Sequence, residues 1–163
     1  MKNFIFLFCL LLLCAIAVCQ SPFKLISLSK SQLPGGVRFK GKVEQALKWT
    51  DKLGENILIT ATFGPYKDEN KDMPGEEAKT IELFSFHFIK KDTGWKLLWK
   101  ITDAEKACAF DITAEFLKAG TRVTDLDNDG IAETTIQYKL SCRSDVSPAY
   151  MKVIMHEGES KYT

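Results

Sequence analysis

A chain of 163 residues with 22 basic and 21 acidic side chains has the length of one domain with a core of useful size. Its charges form neither a basic stripe nor a run of one sign, which excludes a nucleic-acid surface built on clustered Lys and Arg. Low-complexity segments are absent, and after the N-terminus no apolar stretch is long enough to span a bilayer.

The N-terminus begins with Lys2 and continues uncharged from Phe4 to Val18. Fifteen apolar residues fall short of the roughly twenty that a membrane span needs. A positive start, an apolar middle and small residues at the end form the pattern of a secretory leader. Residues 1–19 are therefore read as a signal peptide and 20–163 as a single exported β-rich domain. Cleavage falls after Cys19, leaving Gln20 first, with a cut after Ala17 as an alternative. A third reading acylates Cys19 as a lipoprotein, although Val18 stands where Gly, Ala or Ser is usual. A fourth keeps the run as a membrane anchor. Without the leader and its Lys2, basic and acidic residues balance at 21 each. The expected destinations are the periplasm, the outer surface or the medium.

Of five cysteines, Cys9, Cys14 and Cys19 lie in the leader, so the mature domain keeps Cys108 and Cys142. Two cysteines in an exported domain are expected to pair; the alternative is two separate buried thiols. A bridge would be worth about 3.8 kcal/mol as an upper figure from chain entropy.

The mature chain reads as strands and turns. Phe23 to Leu28 is a short strand, and Pro34-Gly35-Gly36 separates it from the next segment. Val37 to Trp49 runs into a turn at Asp51 to Asn56, with a helical turn at Gln45-Ala46-Leu47 left open. Ile57, Ile59, Ala61 and Phe63 alternate at period two, so a strand pairs back as a hairpin. Gly64 to Lys79 is polar, carries Pro65 and Pro74, and reads as a loop of about fifteen residues. Thr80 to Lys90 is a strand with Phe84, Phe86 and Phe88 on one face and Leu83, Ser85, His87 and Ile89 on the other. Apolar residues on both faces imply cover on both sides. After a turn at Asp92-Thr93-Gly94, Trp95, Leu97, Trp99 and Ile101 continue on alternate positions. Ala104 to Ala109 is ambiguous between strand and helical turn. Ala114 to Phe116 and Thr121 to Thr124 flank Gly120. Ala132 to Cys142 alternates again, Met151 to Met155 forms another strand, and Lys161 to Thr163 begins a last one. The fold class is mainly β: a single antiparallel domain, sandwich or open barrel-like meander, with few short helical turns.

The stretch Asp125-Leu126-Asp127-Asn128-Asp129-Gly130-Ile131-Ala132-Glu133 places carboxylates at positions one, three, five and nine, with Gly at six. Calcium takes six to eight oxygen ligands at loose geometry, and alternate side chains of a tightly curled loop supply them. Asp125, Asp127, Asp129 and Glu133 are the candidate side-chain ligands, with the backbone carbonyl of Ile131 at position seven. An EF-hand would need Glu at position twelve; Ile136 stands there, and the flanks read as strands. The loop instead resembles the strand–loop–strand calcium turn of FG-GAP repeats in integrin-type propellers, where a ninth-position acid closes the site. One copy in a chain of this length implies likeness of the loop alone, not of the propeller. The other reading is an acidic hairpin tip held by solvent and its own Asx turns.

Tyr138 to Pro148 and Lys152 to Gly158, together with Val123-Thr124-Asp125-Leu126-Asp127 and Trp49-Thr50-Asp51, resemble a family of small secreted bacterial proteins. Its members are named surface polysaccharide biosynthesis proteins. The likeness covers most of the mature chain and is densest from Val123 to Tyr162. It implies export and an envelope role and supplies no active site. Family members continue by another short strand beyond the position of Lys161-Tyr162, so a shortened C-terminus is expected here.

Catalytic constellations are missing. Gly-x-Ser-x-Gly, His-Glu-x-x-His and a phosphate loop are absent. His87 reads as a core histidine in an apolar strand and His156 as an exposed one. The expectation is a non-enzymatic, calcium-binding, disulfide-stapled accessory or binding protein of the bacterial envelope. Its partner would be an envelope glycan or an envelope protein, touched by exposed Trp49, Tyr66 or Trp95. The alternatives are a purely structural envelope protein and a carbohydrate-active enzyme using paired carboxylates.

Overall fold

The structure is a computed structural model that describes residues 22–117 and 119–162; the expected leader and cleavage site lie outside them. Among the described residues, ten strands form two antiparallel sheets. The first holds β1 (Ile26–Ser27), β2 (Lys42–Asp51), β3 (Gly54–Glu69), β4 (Glu77–Lys91) and β5 (Gly94–Cys108), in spatial order β1-β2-β3-β4-β5. The second holds β6 (Asp111–Phe116), β7 (Arg122–Thr124), β8 (Glu133–Arg143), β9 (Tyr150–Glu157) and β10 (Ser160–Tyr162). Its order is β10-β9-β8-β6, with β7 also paired to β8. The expected mainly β class is what forms. The single helical element among the described residues is a 3-10 turn over Lys30–Gln32. None of their helices is long and apolar enough to cross a membrane.

Period-two alternation in β3 and β4 explains both cores. Leu58 pairs with His87 and Thr60 with Ser85, while Ile57, Ile59 and Ala61 pair with Phe88, Phe86 and Phe84. Directly paired residues share a face, so the strands present two opposite apolar surfaces. One surface meets the second sheet: Trp49, Leu58, Leu83, Trp99 and Ile101 pack against Val123, Ile136, Tyr138, Leu140 and Ile154. The other is covered by the N-terminal segment, where Leu28, Leu33, Val37 and Phe39 lie over Ile57, Ile59 and the three phenylalanines. The expected double cover of β4 is therefore present.

Several local expectations change. Gln45-Ala46-Leu47 is extended, paired with Thr60, Ile59 and Leu58, and residues 104–108 continue β5. The long loop expected from Gly64 to Lys79 is mostly strand, leaving 70–76 as the connection. The register slips between Phe63 and Tyr66 and then resumes with Tyr66 opposite Thr80. Pro65 cannot donate to a ladder, so the pairing bulges around it. At Gly64 (φ +111°) a side chain would meet the Thr80 carbonyl at 2.5 Å. Polar cross-strand contacts keep this exposed arm together, including Lys67 to Glu77 at 2.7 Å and Thr80 Oγ1 to Asp68 at 2.5 Å.

A second bulge divides β5. His87 pairs with Trp99, but Phe88 pairs with Leu97. The extra residue, Leu98, turns the alternation over. Trp99 and Ile101 enter the core between the sheets, whereas Trp95 packs on the N-terminal side. The four residues expected on one face thus occupy two.

Cys108, at the end of β5, is bonded to Cys142 in β8 with Cα atoms 5.5 Å apart. The bridge joins the two sheets covalently.

Candidate functional site

The acidic segment is the tip of the β7–β8 hairpin. Val123 pairs with Thr134 and Thr124 with Glu133, so residues 125–132 must reverse the chain. Asn128 (φ 60°) and Gly130 (φ 84°) take the left-handed conformations that the reversal needs, which Gly and Asn tolerate best. The carboxylates then fold inward onto backbone N–H groups. Asp125 accepts from Gly130 N at 3.1 Å, Asp127 from Asp129 N at 3.1 Å, and Asp129 from Ile131 N at 2.6 Å. Glu133 is 3 % exposed and accepts from Leu126 N at 2.9 Å and from Thr124 Oγ1 at 3.1 Å.

This folding brings the acids into two overlapping groups. Asp125, Asp127 and Glu133 place carboxylate oxygens within 4.8 Å of one another, and so do Asp127, Asp129 and Glu157. Either group has the chemistry to hold a metal ion. All four acids singled out in the sequence belong to one group or the other, with Asp127 shared. Glu157 was not anticipated. It sits directly across from Glu133 in the β8–β9 ladder, a pairing that only the register reveals. Its carboxyl is pushed above the usual range by partial desolvation and by the charges of Asp127, Asp129 and Glu133. Ile131, expected to offer its carbonyl, contributes its N–H to Asp129.

The tip is anchored to the first sheet. Lys52 N donates to the Gly130 carbonyl at 2.9 Å, and Lys52 Nζ donates to the Asp129 carbonyl. The Lys52 stem lies against Gly130, where a β-carbon would meet its Cε at 2.9 Å. Asp51 accepts from Ala132 N at 3.3 Å, from Trp49 Nε1 at 3.0 Å and from Leu53 N at 2.8 Å. Asp51 thus joins a core indole, the β2–β3 turn and the acidic hairpin. Its place after Trp49-Thr50 was visible in the sequence, but its partners were not.

The other candidates are scattered. Trp49 is 1 % exposed and is corrected from surface contact to core residue: it lies on the inner face of β2 with its N–H fixed by Asp51. Tyr66 is exposed on the bulged arm, 5.4 Å from the Phe63 ring, with its hydroxyl donated to Glu82 at 2.9 Å. Trp95 is half-buried against the N-terminal cluster. These three rings do not form one platform.

Both histidines are buried. His87 binds Asn56 through Nε2 at 3.0 Å, and burial lowers its pKa to about 4. His156 is 5 % exposed, not on the surface as expected. It points inward from β9, stacks on Trp99 at 4.2 Å, and is shifted down by burial and by Lys161.

Comparison of the chain with protein-family models, curated proteins and solved structures finds no match.

Proposed function

We propose that the protein is an exported, calcium-binding accessory or binding module of the bacterial cell envelope, and not an enzyme. The observation that carries the calcium reading is the convergence of Asp125, Asp127 and Glu133 within 4.8 Å, with a second group through Asp129 and Glu157. At that spacing two like charges repel by roughly 3 kcal/mol at an effective dielectric of about 20. A divalent cation reverses the sign of that interaction. An all-oxygen donor set of carboxylates on a curled loop suits calcium better than magnesium, which demands near-octahedral geometry and retains water. The N-terminal leader pattern and a disulfide suited to oxidising compartments support export. The envelope role and the link to surface polysaccharide rest on the family resemblance of residues 123–162. Engagement of both histidines in the core supports the non-enzymatic reading.

The test is calorimetric titration of the purified protein with calcium, with magnesium as comparator, alongside thermal melts. Saturable heat and a raised melting temperature with calcium, both lost in Asp127→Asn, are expected; silence in both measurements refutes the ion site. Pull-down of envelope fractions with and without chelator then tests for a glycan or protein partner. A second reading has its own support, because the Asx hydrogen bonds of Asp127 and Asp129 hold the tip without an ion. On that reading the hairpin and the bridge are structural only, and titration shows no binding.

A further inference from the structure

The sandwich has an open side. β5 ends the first sheet and β9–β10 end the second, and between them runs a groove of about 530 Å³, within the size range of small-molecule sites. We propose that this groove binds a small organic anion, a carboxylate or phosphate carried on a sugar-sized skeleton. This site is separate from the acidic hairpin and does not depend on an ion there.

Charge is the first argument. Lys152 and Lys161 line the groove against one carboxylate, Asp103; Lys100 also borders it, but it pairs with Phe86 and so belongs to the opposite face of the first sheet. Asp103 is already engaged: it accepts from Tyr138 OH at 2.7 Å, from Lys152 Nζ at 2.6 Å and from Ala104 N at 2.9 Å. Those bonds fix Tyr138 and Lys152 and leave the Lys152 ammonium further N–H groups to donate. Lys161 has no acidic partner among the described residues. The groove therefore carries an uncompensated positive charge.

Placement is the second argument. Lys152 pairs with Tyr138 across β8–β9, and Lys161 pairs with His156 across β9–β10. Directly paired residues share a face, and Tyr138 and His156 are buried. Both lysines therefore stand on the inner face of the second sheet. An inward lysine on an edge strand also discourages edge-to-edge pairing. That accounts for Lys161 alone, not for Lys152 beside it on the same inner face. Of the His156 nitrogens, Nδ1 is sealed from solvent without a partner, so Nε2 is the one left to reach a ligand. Ile101 and Ile154 add apolar lining, which favours a ligand with a carbon skeleton over a bare inorganic ion.

The test is a two-dimensional NMR titration of the protein in chelator-containing buffer with glucuronate, glucose 6-phosphate, inorganic phosphate and glucose. Saturable shifts from glucuronate or glucose 6-phosphate, confined to β5, β9 and β10, are expected, with weaker shifts from phosphate and none from glucose. Lys152→Ala and Lys161→Ala each weaken binding about tenfold, the worth of one charge-assisted hydrogen bond; Lys96→Ala, outside the groove, leaves it unchanged. Preference for glucuronate assigns a carboxylate ligand, and preference for glucose 6-phosphate a phosphate one. The proposal is overturned by no saturable shift from either sugar anion, by equal response to glucose, or by wild-type affinity in both lysine variants. Phosphate binding as tightly as the sugar anions overturns the skeleton requirement.

Discussion

Replacing Asp51 by alanine tests whether one carboxylate ties the acidic hairpin to the core. The side chain accepts three hydrogen bonds, at 3.0 Å from Trp49 Nε1, 2.8 Å from Leu53 N and 3.3 Å from Ala132 N. Trp49 is 1 % exposed, so its indole N–H would be stranded without solvent, at a cost of roughly 1–3 kcal/mol. Leu53 is half-buried and water can replace part of its bond. The Ala132 contact is long and adds least. Together the loss is about 3 kcal/mol, a large part of a domain stability of roughly 5–15 kcal/mol. For a domain of this size that lowers the melting temperature by roughly 10 °C. The assay is urea unfolding at neutral pH with tryptophan fluorescence, supported by thermal melts. Asp51→Asn keeps one acceptor oxygen and should recover part of the loss. An alanine variant within about 1 kcal/mol of the parent, or an asparagine variant no better than alanine, would refute this account.

Reduction of the bridge, or the double change Cys108→Ser with Cys142→Ser, should remove up to about 3.8 kcal/mol for the separation of 34 residues. Coincident urea curves with and without reductant would contradict that. His87 has a pKa of about 4 when folded against about 6.5 unfolded, so only the unfolded chain takes up its proton between those values. Its contribution is complete above about pH 6.5 and falls by about 3 kcal/mol in total as pH drops to 4; His156 acts in the same direction. A flat stability profile from pH 7 to pH 4, measured by denaturant midpoint, would count against both burials. Glu157→Gln should stabilise the chelated protein by removing repulsion from Asp127, Asp129 and Glu133. The same change should weaken calcium binding, and calorimetry that finds affinity unchanged would remove Glu157 from the ligand set.

Much of the fold was legible because β3, β4 and β8 obey a clean period of two. The doubly apolar faces of β4 announced cover on both sides. Failures occurred where one residue is out of register. Leu98 is the extra residue in β5, and no composition signal marks it, so Trp95 and Trp99 looked like neighbours. Pro65 and the polar run after it looked like a loop because strand propensity is low there; cross-strand polar contacts and the bulge override it. Asp125, Asp127, Asp129 and Glu133 were legible from spacing, since a single loop contains them. Glu157 and Asp51 come from other hairpins, and sequence separation hides partners brought in by sheet register. Trp49 shows the limit for aromatics: its alternation permitted either side of the sheet, and only the second sheet decides which side is interior.

β8 has a disulfide near one end and the acidic tip at the other. Glu133 begins it beside the acidic tip, and Cys142 near its other end holds the bridge, about 30 Å away along an extended strand. Perturbations separated by more than about 10 Å with no shared partner usually add. If the acidic tip takes the divalent cation proposed for it, oxidant and cation would grip the same strand independently. A medium poor in one would then loosen one end only, and the two losses would add.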